Sequence, residues 1–311
     1  VIEVNTRSKA TLEEISDWFK NDELFFLIGA GFSSSSTESS IGTGKQLAHY
    51  LSNIIDNELK DVSKDNIEKM LNELLIDHNK EEKIEEIIKY IDKVIKKDNI
   101  NLKNICDRII TEKSQKDYEK IIQKYFDDRS DLILQTHKNM IPVIEKKEKA
   151  VKNPLIVSLN IDQLIERAYL INSKGMKNVP CYIGGLSKDN FSKLETSLIW
   201  KFHGCVTDMD TAVFSTFSYY KFKREHKESM TNLKRLFRNK HCVMLGVSLE
   251  DDHIRDLIFE LYENSDMPQS VIVSPKNYLN EQFLDYMNEF ISLAYFEDEI
   301  SDFLEKLNAL I

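Results

Sequence analysis

Four cysteines are scattered through the 311 residues, at Cys106, Cys181, Cys205 and Cys242, and no two form a CxxC pair. That spacing argues against a disulfide framework and against a cysteine-based zinc ribbon, so reduced thiols in a cytoplasmic protein and no bound metal are expected. No apolar run approaches the ~18 residues of a membrane helix, and the polar, mixed stretch Val1–Thr11 does not read as a signal peptide. Basic charge does not dominate either. With 42 Lys and Arg against 52 Asp and Glu, the formal net charge is −10. That balance argues against broad binding to nucleic acid or to anionic membranes, though it leaves room for a local basic patch. Hydrophobic residues make up 41% of the chain, enough to bury a sizeable core.

Short continuous apolar runs alternate with helical patterns. Thr11 and Glu14 form a capping box ahead of Leu12, Ile15, Trp18 and Phe19, which predicts a helix over about 11–20. Leu24–Ile28 reads as a strand buried on both faces, and it ends at Gly29-Ala30-Gly31. Leu47, Leu51, Ile54 and Ile55 mark a helix. Similar strands are expected at 155–159, 198–202, 242–245 and 271–273, with a further one near 291–296. Helices are expected at Leu233–Asn239, after a cap at Asp251 or Asp252, and from Asp298 to Leu310. Between these lies a segment rich in Glu, Lys, Asn and Ile, with helical spacing in Leu71, Leu74 and Leu75 and in Ile84, Ile87, Ile88, Ile91 and Ile95. Its charge runs read as solvated helix faces.

The fold class expected is therefore α/β: a Rossmann-like, mostly parallel, doubly wound sheet with an inserted or side-packed helical module. Residues 1–55 would begin the core, 56–150 would form the helical module, and 151–311 would complete the core with a C-terminal helix. Ligands of such sheets bind beyond the carboxyl ends of the strands. Gly29–Ser33, Asn160–Asp162, His203–Gly204 and Gly246–Ser248 all stand at such ends and should face one crevice.

Two glycines after a strand let the backbone turn tightly and bring amide N–H groups to a pyrophosphate. Other phosphate-binding signatures fail. A Walker A loop around Gly44-Lys45 would need a glycine where Ser39 stands and a Ser or Thr where Gln46 stands. A dehydrogenase fingerprint would need a third glycine where Ser34 stands.

Gly-Ala-Gly-x-Ser at Gly29–Ser33, Asn-Ile-Asp at Asn160–Asp162, His203-Gly204 and Gly246-x-Ser248 occur in the order found in the sirtuin-like family. The chain resembles that family over about residues 20–275, most closely its divergent bacterial branch, whose members hydrolyse NAD in anti-phage defence. The resemblance implies that NAD is a substrate. It implies that Gly29, Ala30, Gly31, Phe32 and Ser33 hold the diphosphate side, and that Gly246 and Ser248 meet the adenosine half. By the same resemblance Asn160, Asp162 and His203 are the catalytic set. Asn160 would fix the nicotinamide ribose and the incoming water, Asp162 the nicotinamide carboxamide, and His203 the ribose hydroxyls.

The chain also departs from the family. Ser34–Gly44 lacks the usual Gly-Ile-Pro and Phe-Arg, and the four zinc cysteines of the protein-deacylating members are missing. An NAD glycohydrolase is the leading expectation, against a sirtuin-type deacylase or a non-catalytic sensor of NAD or ADP-ribose. An NAD hydrolase needs control, so a homo-oligomer, a regulatory partner or an additional domain is expected.

Overall fold

A computed structural model describes residues 10–34, 44–58, 102–112, 114–148, 154–186, 191–248, 268–275 and 293–311. Helix α1 spans Leu12–Lys20, and its start is the expected capping box: the Glu14 N–H donates to Thr11 Oγ1 (3.2 Å) and the Thr11 N–H donates to Glu14 Oε2 (2.7 Å). The strands are β1 Leu24–Ile28, β2 Ile156–Ser158, β3 Cys181–Ile183, β4 Ile199–Lys201, β5 His241–Leu245, β6 Ser270–Ser274 and β7 Leu293–Glu297. They form one seven-stranded sheet in the order β3-β4-β2-β1-β5-β6-β7, with every pairing parallel. The other helices are α2 Gly44–Glu58, α3 Leu102–Glu112, α4 Gln115–Asp127, α5 Gln135–Lys147, α6 Leu164–Asn172, α7 Phe191–Glu195, α8 Thr216–Glu225, α9 Lys227–Asn239 and α10 Ile300–Leu310.

The apolar run of β1 is continuous because both of its faces are covered. Leu24, Phe26 and Ile28 point into a core with residues of α1, α5, α6 and α10. Phe25 and Leu27 point the other way, into a core with Phe222 of α8 and Leu233, Leu236 and Phe237 of α9. This period-2 division makes the sheet the middle of three layers. A third core joins Leu47, Ala48 and Leu51 of α2, Ile105, Cys106, Ile109 and Ile110 of α3, and Tyr118, Ile122, Tyr125 and Phe126 of α4. It also takes in Ile161 after β2 and Cys205 and Val206 after β4, so helices α2–α4 pack over the carboxyl ends of those strands.

Strand β3 and helix α8 were not read from the sequence. The periodic segments around Leu71 and Ile84–Ile95, and the helix expected after Asp251 or Asp252, lie outside the described residues.

Candidate active site

The strand ends coincide in register. Ile28 pairs with Ser158 and with Leu245, and Ser158 pairs with Lys201, so β4, β2, β1 and β5 finish on one line. Chain order reverses here, since β2 and β4 lie on one side of β1 and β5 on the other. This is the switch point at which open α/β sheets bind ligands.

The loops after β1 and β5 meet backbone to backbone. The Gly29 N–H donates to Leu245 O (3.0 Å) and the Gly31 N–H donates to Gly246 O (2.9 Å). A Cβ on Gly29 would stand 2.7 Å from Gly246 O, and one on Gly31 would stand 2.9 Å from Gly246 Cα. Gly246 itself has φ +64°, a region that favours glycine. The segment Ala30–Ser33 closes into a short 3-10 turn, where the Phe32 N–H donates to Gly29 O and the Ser34 N–H to Gly31 O. Several amides expected to cradle phosphate are thus already bonded within the protein. Phe32 is buried with its ring edge-on to His137, at 5.3 Å between centroids. Ala30 and Ser248 are the exposed members of the two loops.

Ser33 is the hub of the interior side. Its hydroxyl donates to Asp162 Oδ2 (3.1 Å), lies 3.1 Å from His137 Nε2, and accepts from Asn160 Nδ2 (3.2 Å). Asn160 Nδ2 also donates to Gly29 O (3.1 Å). A carbonyl oxygen can only accept, so the amide orientation of Asn160 is fixed. Asn160 Oδ1 makes no hydrogen bond among the described residues, and the residue is half-buried at the mouth of the β1–β2 edge. Asp162 is buried and places its other oxygen, Oδ1, on the N–H of Leu164 (3.0 Å), capping α6.

Beneath this layer Lys201, at the end of β4, is only 2% exposed. Its ammonium donates to the carbonyl of Asp162 and pairs with Glu166 of α6 at 3.3 Å. Burial pushes the Lys201 pKa down, but Glu166 and then Asp162 outweigh it, so the group is held above the usual lysine value and stays charged.

His203 follows β4 and is also buried, against Phe202 (5.4 Å) and against Phe222 of α8 (6.5 Å). Its backbone is fixed by the Val213 N–H donating to His203 O (3.0 Å) and by Gly204 at φ +81°. The expected residues therefore stand at adjacent strand ends, and Gly29, Gly31, Ser33, Asn160, Asp162 and Gly246 are joined directly. A cavity of about 290 Å³ opens beside Asp162, lined by Gln123, Asp127, Gln163, Arg167 and Thr207 among others.

Two residues of this site were not read from the sequence. Lys201 carried a signal, a lone charge inside the apolar run Leu198–Phe202. His137 carried none, because its partner Ser33 lies 104 residues away in the chain. Cys106, Cys181, Cys205 and Cys242 stand apart as free thiols, and no group of three or more His, Cys, Asp or Glu among the described residues could hold a metal ion.

The all-parallel seven-stranded sheet with helices on both faces defines a Rossmann-like α/β protein. Residues 154–292 match the family model of the SIR2-like domain. No curated protein matches the chain. SIR2-like domains use NAD. No helix among the described residues is long and apolar enough to cross a membrane.

Proposed function

We propose that the chain is an NAD glycohydrolase, cleaving the nicotinamide–ribose bond to release nicotinamide and ADP-ribose or a cyclic form, as an NAD-depleting effector of anti-phage defence. The observation that carries this reading is Asn160: its Nδ2 is tied to Gly29 and Ser33, while its Oδ1 is left to accept at the end of β2. Nicotinamide in NAD already bears positive charge and leaves without a strong general acid. The carbon–nitrogen bond breaks, its electron pair goes to the ring, and an oxocarbenium-like ribose forms. The water oxygen then bonds to the anomeric carbon and its proton passes to solvent. A rigid acceptor such as Asn160 Oδ1 can orient that water or a ribose hydroxyl as charge develops. In this reading His203 serves the ribose hydroxyls, Asp162 the carboxamide side, and the loops bearing Ala30 and Ser248 the diphosphate and adenosine.

The test is NAD consumption by the purified chain, with and without an acetyl-lysine peptide. Nicotinamide released without peptide supports the glycohydrolase. Release only with peptide, matched by deacetylation, replaces it with a deacylase. NAD bound but never consumed, in any assembled form, reduces the protein to a sensor.

A further inference from the structure

We infer that His137 of α5, outside the SIR2-like match at 154–292, is the positioning residue of this site: its Nε2–H fixes the Ser33 hydroxyl and, through it, the side-chain amide of Asn160. The inference rests on the proposal that Asn160 serves the NAD reaction.

The hydrogen-bond directions follow from the donors. The backbone N–H of Leu134 donates to His137 Nδ1 (3.0 Å), so Nδ1 carries a lone pair and the proton of the neutral ring sits on Nε2. Nε2–H then donates to Ser33 Oγ. Asn160 Nδ2 donates to the same oxygen, filling its second lone pair, and the Ser33 proton is left one acceptor, Asp162 Oδ2. Each member of the set thereby has one orientation. Burial, the largest influence, lowers the His137 pKa to about 4, and Lys201 pushes the same way, against the Asp162 carboxylate. The ring therefore stays neutral at ordinary pH. Two contacts seat it: the Phe32 ring edge-on at 86°, and the Thr136 hydroxyl donating to Phe32 O (3.0 Å). Such a set acts on the reaction by holding Asn160 still, so its loss should lower turnover far more than NAD affinity.

The experiment compares the full chain with His137→Leu and His137→Gln. The readouts are nicotinamide release, NAD affinity, and NMR of the His137 ring nitrogens and the Asn160 side-chain amide. The amide is assigned from the signals absent in Asn160→Ala. The expected result is a neutral Nε2–H tautomer in the parent. His137→Leu should show shifted Asn160 amide signals and roughly 10- to 100-fold lower turnover at near-constant affinity. His137→Gln, whose amide can donate to Ser33, should recover both in large part. Full turnover in folded His137→Leu, or a ring protonated on Nδ1, would overturn the assignment. If the parent releases no nicotinamide, the glycohydrolase reading fails separately, and the tautomer and the Asn160 amide signals decide the role of His137. If His137→Leu does not fold, the tautomer and His137→Gln decide it.

Discussion

Gly31 and Gly246 hold the two sides of the crevice together through backbone contact. A valine at Gly31, considered from the sequence alone, would block a ligand and spare the fold. The structure changes that expectation, since even a single Cβ meets Gly246 Cα at 2.9 Å and Gly246 O at 3.0 Å. Gly31→Ala should therefore destabilise the protein by about 1–3 kcal/mol, the usual range for overpacking. Thermal or urea unfolding measures this, and an unchanged transition would show that the loops are not packed as described. The glycine pair was legible in the sequence, but its immediate partner was not: the second loop lies more than two hundred residues along the chain. A separation of 104 residues from Ser33 likewise hid His137. Its burial also makes stability depend on pH. With a folded pKa near 4 against an ordinary 6.5, the unfolded chain binds more protons between those values. The contribution is whole above about pH 6.5 and is lost as pH falls towards 4, on the order of 3 kcal/mol. His137→Gln should flatten that part of the acid limb.

Helices α3 and α8 meet at a buried carboxyl. Asp107 of α3 faces the first turn of α8, where the Thr216 hydroxyl and the N–H groups of Phe217 and Thr216 point, while Asp107 Oδ1 has no hydrogen-bond partner among the described residues. Burial, the dominant influence, raises its pKa to about 7 despite those donors. The folded state thus holds this proton more tightly than the unfolded chain does, so stability falls as pH rises from about 4 to about 7 and is level beyond. Asp107→Asn removes the buried charge. It should stabilise the protein at pH 8 by on the order of 4 kcal/mol and change little at pH 4. Denaturation at the two pH values checks this; a destabilised variant at pH 8 would mean that the ionised carboxylate is a favourable cap of α8. Most elements were readable because their residues carry the period of their surroundings. β1, covered on both faces, is apolar throughout, and α1 bears a full capping box. β3 was missed because it is a three-residue, half-buried edge strand without an apolar run. α8 was missed because its cap pairs Ser215 with Ser218, without the Glu or Gln of the familiar signature, and its tyrosines read equally well as core.

Taken together, the molecule is a sheet whose central strands end on one line, with three helices, α2–α4, packed over two of those ends. The four sequence motifs were separately weak, and their order along alternating strands was enough to place them at one edge. The hydrogen bonds beneath them were not legible, because they join β1, β2, β4, α5 and α6 at separations that no local pattern reports. The central claim is that this edge breaks the nicotinamide–ribose bond with Asn160 as the orienting acceptor. The direct measurement is nicotinamide release by the parent chain and by Asn160→Ala, in whichever assembled form the parent is active, beside NAD affinity for both. The expected result is turnover lowered by roughly 10²-fold or more with NAD still bound. Undiminished release from a folded Asn160→Ala protein would contradict it.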